Sequence, residues 1–196
     1  MINTILLAIL AYLLGSIPSG FIIAKAHGID IRTIGSKSTT STNVSRVLGW
    51  KWGIVSAFFD VLKGIIAVFL AKKYLEPGYD LILVSLLPVI GHIFPIYLKF
   101  KGGKGAATFF GSTAVLIGPK FFLSCFLIWI IALMIFKKTS ITNLLFVWIL
   151  AGLLYVKFAF YYFIYGLLGA IIITFALREN IQRLRQGKEP KTKFKW

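Results

Sequence analysis

The sequence predicts an all-α polytopic integral membrane protein with seven transmembrane segments, its N-terminus outside, its C-terminus cytoplasmic and its fourth segment short. Three observations predict it. Of the 196 residues, 58% are hydrophobic and only 14% are charged, whereas soluble domains hold about 45–50% apolar and about 25% charged residues. Too little polar surface exists to cover a water-soluble core. Charge-free runs near the length of a membrane span, about 20 residues, recur along the whole chain. Lys and Arg number 22 against six acids, and they collect in alternate connections, as cytoplasmic loops do.

The first span, 3–24, begins without a basic leader, and Gly15-Ser16-Ile17-Pro18-Ser19-Gly20 runs straight into Phe21-Ile22-Ile23-Ala24. It reads as a retained helix, because a cleaved signal needs a positive start and a shorter core. The second and third spans cover 52–71 and 80–98. The fourth, 106–118, is too short to cross as a full helix and suits a short or re-entrant segment buried by protein. Spans at 120–136, 140–156 and 158–177 complete the seven. With the N-terminus outside, 17 of the 22 basic residues, Lys193 and Lys195 among them, fall on the inner side. The outer connections keep Lys72, Lys73, Lys120 and Lys157, and Lys63 falls within a span. If 106–118 did not cross, the labels would swap beyond it and the basic tail would lie outside. No fixed-period repeat or soluble linker interrupts the pattern, so 1–196 reads as one membrane-embedded domain.

A net charge of +16 in so apolar a chain points to anionic lipid or an anionic ligand. The charges are dispersed between lipid-length runs, which argues against nucleic acid as a partner. The single Cys125 sits among apolar residues; it permits no internal disulfide and reads as an inert filler.

Three stretches share the inner side. The first, Gly35-Ser36-Lys37-Ser38-Thr39-Thr40-Ser41-Thr42-Asn43-Val44-Ser45-Arg46, holds seven hydroxyl residues closely followed by an arginine. Hydroxyls, amides and a guanidinium bind phosphate oxygens, although a solvated Ser/Thr linker has a similar composition. The second runs from Gly91-His92-Ile93-Phe94-Pro95 through Lys99, Lys101, Gly102, Gly103, Lys104 and Gly105 to Thr108. Glycines there let backbone approach an anion, and a helix beginning just after them aims free amides at the same place. Leu98 and Gly105 stand where a Walker loop requires Gly and Ser or Thr, so it is not a P-loop. A positive-inside anchor explains the lysines but neither the glycines nor His92. The third stretch is Arg178-Glu179-Asn180-Ile181-Gln182-Arg183-Leu184-Arg185. Its outer part suits anionic lipid, while Asn180, at the membrane end, is the better site candidate. Asp60 and Lys63, three apart in the second span, suit an ion pair that orders the bundle or a direct substrate contact.

These residues strongly resemble the acyl-phosphate-dependent glycerol-3-phosphate acyltransferase family (PlsY), small membrane enzymes of bacterial phospholipid synthesis. The resemblance rests on Gly15 to Gly20, on Thr42-Asn43-Val44 with Arg46, on Phe59-Asp60-Val61-Leu62-Lys63-Gly64, and above all on Gly91 to Pro95 continuing through Phe100 to Thr108. It implies seven spans and a cytoplasm-facing site in the bacterial inner membrane. The implied reaction moves a fatty acyl group from acyl phosphate to the 1-hydroxyl of sn-glycerol 3-phosphate, giving lysophosphatidic acid and phosphate, with no cofactor or metal. The chain departs from the family pattern at Lys37, Ser38, Thr40 and Ser41, which replace Gly, Asn, Gly and Ala, and at Ala176 and Leu177, where the family has Arg and His. The family's serine before the sixth span appears as Thr142 or, less securely, Ser140.

Under this resemblance, Lys104, Lys101, Gly102 and Gly103 hold phosphate and transition-state charge. Arg46 with Ser36, Thr42 and Asn43 holds one phosphate group, and Asn180 with Thr142 orients the acceptor. The resemblance also implies that a substrate phosphate takes the proton. His92 is chemically suited to be a general base, yet a His beside Phe94-Pro95 also suits holding the bend through backbone carbonyls, which is the favoured reading. The altered first loop keeps open a relative that acylates another phosphorylated or polyol acceptor. A membrane anion transporter is the remaining alternative, without the inverted repeat such proteins carry.

Overall fold

The computed structural model describes residues 3–192, which form helices and their connections. Lys193 and Lys195, expected on the inner side, lie outside the described residues. The expected first span is two helices, α1 (Thr4–Ser16) and α2 (Ser19–Ala26), parted at Ile17–Pro18, because Pro18 has no N–H to continue the ladder. The first inner connection contains a helix of its own, α3 (Ser41–Leu48), started by the Thr40 hydroxyl accepting from Asn43 N at 3.2 Å; this is an N-cap. Then follow α4 (Trp50–Tyr74), α5 (Tyr79–Ile93) and a short 3₁₀ turn at Ile96–Leu98. The remaining helices are α6 (Ala106–Ile117), α7 (Pro119–Phe136), α8 (Thr139–Lys157), α9 (Phe160–Ala176) and α10 (Arg178–Arg185).

Each of the seven expected segments is helical. Five stretches are long and apolar enough to cross a membrane: Thr4–Ala26, Trp50–Tyr74, Tyr79–Leu98, Pro119–Phe136 and Thr139–Lys157. A sixth is added if α9 is taken with α10, which bends away from it by 62°. The fourth segment, α6, has only 12 residues, as its sequence requires.

The interior combines large buried side chains with several places where helices approach closely. A Cβ on Gly64 of α4 would strike the Thr108 carbonyl of α6, and one on Gly111 of α6 would strike the Val61 carbonyl of α4. Gly15 of α1 and Gly91 of α5 pack in the same reciprocal way, against Pro88 O and Tyr12 O. Small residues bring membrane helices together in this manner because lipid supplies no hydrophobic drive for their association. Around these contacts, Phe109 stacks on Tyr165, ring centroids 5.0 Å apart. Thr113 and Tyr165 share a buried hydroxyl contact of 3.0 Å. The outer surface is apolar, with Leu123, Leu127, Ile131, Met134 and Ile135 of α7 all exposed, a pattern suited to lipid rather than water.

Candidate functional site

Four connections meet at one end of the bundle: the loop before α3, the glycine loop before α6, the α7–α8 turn and the segment after α9. Ser38 Oγ donates to Gly102 O at 3.2 Å, joining the first two. Lys104 Nζ lies 3.8 Å from Glu179 Oε2, joining the glycine loop to α10. Thr192 N donates to Lys137 O at 2.7 Å, joining the chain after α10 to the α7–α8 turn.

The first loop is organised from within by Asn43, which is fully buried. Its Nδ2 donates to the carbonyls of Ile31, Ile34 and Ser38 at 3.0–3.2 Å, and its Oδ1 accepts from Ser36 N at 2.9 Å. Asn43 thus fixes where Ser36 stands. Gly35 adopts φ +63°, and a Cβ there would strike the Asn43 amide, so this turn requires glycine. Ser36 and Arg46 face a cavity of about 300 Å³. Desolvation by surrounding protein lowers the Arg46 guanidinium pKa, Glu189 opposes that shift and Arg183 adds to it; the group stays charged regardless. Thr42 lies in the first turn of α3, partly buried.

The glycine loop folds back on the end of α5. Gly103 N donates to His92 O at 3.0 Å and Gly102 N to Ile93 O at 3.2 Å. A Cβ on Gly103 would strike the His92 ring, and one on Gly102 would strike His92 O. The absence of side chains at 102 and 103 therefore lets the loop close. Gly105 precedes α6 without a side-chain cap, leaving the first amides of α6 available to an anion beside Lys104. Burial lowers the Lys104 pKa, against the pull of Glu179 and with the push of Arg178 and Arg183. Lys101 is exposed.

His92 belongs to a different group. It is 7% exposed, with Nδ1 3.3 Å from Asp60 Oδ1. The same oxygen lies 3.0 Å from Lys63 Nζ and accepts from Ser19 Oγ at 2.5 Å. Lys63 also donates to Ile17 O at 2.9 Å, satisfying a carbonyl at the α1–α2 break. These are the requirements of buried charge in a membrane, paired and turned inward. Asp60 and Lys63 order the bundle, and His92 links that cluster to the glycine loop.

After α10 the chain turns back over the site. Glu189, 6% exposed, accepts from Asn180 Nδ2 at 2.8 Å, Ser140 Oγ at 3.0 Å and Arg183 Nε at 2.7 Å. Burial pushes its pKa up, but the three hydrogen bonds outweigh it and hold the carboxyl below the usual range. Asn180 Oδ1 is buried without a hydrogen-bond partner among the described residues. Thr142 is elsewhere: its hydroxyl donates to Lys138 O at 3.2 Å, and it borders a narrow apolar cavity between α7 and α8 with Cys125, Trp129, Phe146 and Leu150. The hydroxyl in the Asn180 network is that of Ser140.

The structure thus brings together Ser36, Arg46, Lys104 and Asn180, with Asn43, Gly102 and Gly103 shaping their loops. His92 and Thr142 stand apart. Sequence reasoning placed Arg183 on anionic lipid and did not single out Lys188 or Glu189, although Arg183, Lys188 and Pro190 line the same cavity as Ser36 and Arg46. A single acid between Gly187 and Pro190 in a basic tail was the available signal.

A family model described as glycerol-3-phosphate acyltransferase matches residues 5–187. A glycerol-3-phosphate acyltransferase of Thermus thermophilus is 39% identical over 189 residues, covering 92% of this chain and 91% of that protein. One of Aquifex aeolicus is 38% identical over 196 residues, covering 95% and 98%. The crystal structure of PlsY, an integral membrane glycerol 3-phosphate acyltransferase, in its glycerol 3-phosphate form superposes with a TM-score of 0.91 at 35% identity, covering 96% of this chain and 94% of that one. Its lysophosphatidic acid form gives 0.88 at 34% identity, with the same coverage.

Proposed function

Because the chain belongs to the glycerol-3-phosphate acyltransferase family, we propose that it transfers a fatty acyl group from acyl phosphate to the 1-hydroxyl of sn-glycerol 3-phosphate, giving lysophosphatidic acid and inorganic phosphate. The observation that carries this reading is the meeting of Ser36, Arg46, Lys104 and Asn180 at one polar end of an apolar bundle. A soluble phosphate ester can enter there from water while an alkyl chain remains in lipid.

The same convergence supports the topology. The ends of α2, α5, α7 and α9 share one end, which fits seven crossings with α6 as the short fourth. The N-terminus is then outside and the C-terminus cytoplasmic, in a bacterial inner membrane, with the whole of 1–196 as one domain. Of the 20 basic residues among the described ones, 15 then face the cytoplasm.

The donor is already activated, so the protein must position and stabilise. Arg46, Ser36 and the start of α3 at Thr42 hold the acceptor phosphate, with Asn43 fixing Ser36. The free Asn180 Oδ1 accepts from the acceptor hydroxyl, and Ser140 serves the same network in place of Thr142. Lys104, the Gly102–Gly103 loop and the α6 amides stabilise the oxyanion and the departing phosphate, and Lys101 adds charge at the mouth. The hydroxyl oxygen bonds to the acyl carbon, the carbon–oxygen bond to phosphate breaks, and a substrate phosphate takes the proton.

Phosphate release from acyl phosphate, followed with and without sn-glycerol 3-phosphate in purified protein, tests the reading. Release should depend on the acceptor and be matched mole for mole by lysophosphatidic acid; acceptor-independent release, or preference for another polyol, would overturn it.

A further inference from the structure

We propose that the chain after α10, residues 187–192, is a strap that carries Lys188 to the acceptor site, where Lys188 and Arg183 join Arg46 in a three-cation cage for the phosphate monoester of the acceptor. The proposal rests on the function just stated and adds two residues that the sequence motifs did not mark.

The strap is fixed at both ends. At its start Gly187, at φ +70°, lets the chain reverse, a conformation that favours glycine. Lys188 N and Glu189 N then both donate to Arg183 O, at 2.8 and 3.1 Å. In its middle, the buried Glu189 carboxylate is held by Ser140, Asn180 and Arg183. At its end, Thr192 Oγ1 lies 2.6 Å from Thr139 Oγ1 and accepts from Thr139 N at 3.2 Å. Lys188 and Pro190, on this pinned backbone, line the cavity together with Gly35, Ser36, Arg46 and Arg183.

The charges define what fits. Three cations and no acid line the cavity. Glu189, the acid beside them, is occupied by its own partners. Arg46 and Lys188 make no ion pair or side-chain hydrogen bond among the described residues. Counting Glu189, about two positive charges remain, and a phosphate monoester carries close to −2 at neutral pH. A cavity of about 300 Å³ lies at the lower end of the range for small-molecule sites. Four of its six lining residues, Ser36, Arg46, Arg183 and Lys188, carry a hydroxyl or a positive charge, which suits the small, water-soluble acceptor; the donor's alkyl chain needs a longer apolar path. Arginine can grip phosphate bidentately while lysine adds a point charge.

The test compares wild type, Lys188→Met and Lys188→Arg as full-length protein in lipid, varying sn-glycerol 3-phosphate and acyl phosphate in turn. Loss of one cation from a phosphate site should raise the acceptor KM about tenfold, with the loss falling on KM rather than kcat. The acyl phosphate KM should be unchanged, and Lys188→Arg should recover most of the loss. An unchanged acceptor KM, or a rise in the donor KM instead, overturns the proposal. Calorimetric binding of sn-glycerol 3-phosphate and of inorganic phosphate gives a readout independent of turnover. If wild type fails to acylate, the function fails, yet weaker binding by Lys188→Met would still support the cage, and equal binding would sink it. Lys188 is exposed, so an unchanged melting temperature should accompany the variant and separate lost binding from lost folding.

Discussion

Two charged regions lie close together in this protein and are built on opposite principles. Around Asp60 the opposite charges meet inside the bundle: Lys63 and Ser19 engage one carboxylate oxygen, His92 Nδ1 lies 3.3 Å from it, and Lys63 also reaches the Ile17 carbonyl. Around the cavity, Arg46 and Lys188 have no ion-pair or side-chain hydrogen-bond partner among the described residues, and Asn180 Oδ1 is unpaired among them. Where charge is internally satisfied, it holds helices in place. Where it is left over at a polar end, it can receive a ligand. Variants in the first region should therefore cost stability, and variants in the second should cost turnover or affinity.

The largest effect is expected from Asp60→Ala. Removing one partner of a buried pair leaves Lys63 uncompensated, a cost of about 3–5 kcal/mol. The protein should lose its monodisperse folded form in detergent, and size-exclusion chromatography with thermal melting checks this. A well-folded, inactive Asp60→Ala would instead move Asp60 into the site and break the contrast. Lys104→Ala comes next, on the other side. Losing a charge donor to the transition state should lower kcat about 10²–10³-fold with a melting temperature close to wild type. High residual turnover would contradict charge stabilisation by that loop.

His92 sharpens the comparison because it touches both regions. It belongs to the satisfied cluster through Asp60, and it supports the glycine loop through its carbonyl and ring. His92→Gln should lower stability by about 1–2 kcal/mol, the scale of a buried polar group that loses its fit, while turnover in lipid falls less than about tenfold. Near-complete loss of turnover with an intact fold and unchanged substrate affinity would make it a base after all.

The helical segments were legible because lipid imposes a length and a charge rule on sequence. Even the shortness of α6 could be read from 106–118. The break at Ile17–Pro18 and the helices α3 and α10 were not expected, because short helices depend on caps and neighbours more than on hydrophobic runs. Arg46, Lys104 and Asn180 could be singled out as candidates because the first two sit in stretches whose hydroxyls or glycines outnumber what a loop needs, and the third stands at a membrane end. Lys188 could not, since nothing in a basic tail marks one lysine from another until the fold pins Glu189 beside it through Ser140, Asn180 and Arg183. Asn43 was read as a ligand; its structural duty becomes visible only when the carbonyls it ties are brought together by the fold. The choice of Ser140 over Thr142 likewise required the helix face, which two residues of spacing cannot supply alone.

The smallest effect concerns pH and asks whether the strap is held by charge. The Glu189 carboxyl lies below its ordinary range in the folded protein, because hydrogen bonds from Asn180, Arg183 and Ser140 outweigh the opposing effect of burial. A depressed folded pKa means that the unfolded chain binds more protons, so stability rises with pH through this region. Its contribution is fully present above the unfolded value, about 4.3, and is lost as pH falls through the lower folded value. Glu189→Gln keeps an acceptor oxygen for Asn180 and Ser140 but removes the charge facing Arg183. The chain has only six acids, so few other groups obscure the measurement. Between about pH 5 and 3, the melting temperature of wild type should therefore fall by about 2–4 °C more than that of the variant. Parallel curves would mean that the strap is held by hydrogen bonding alone, and that Arg183 is freer to serve a ligand than its ion pair suggests.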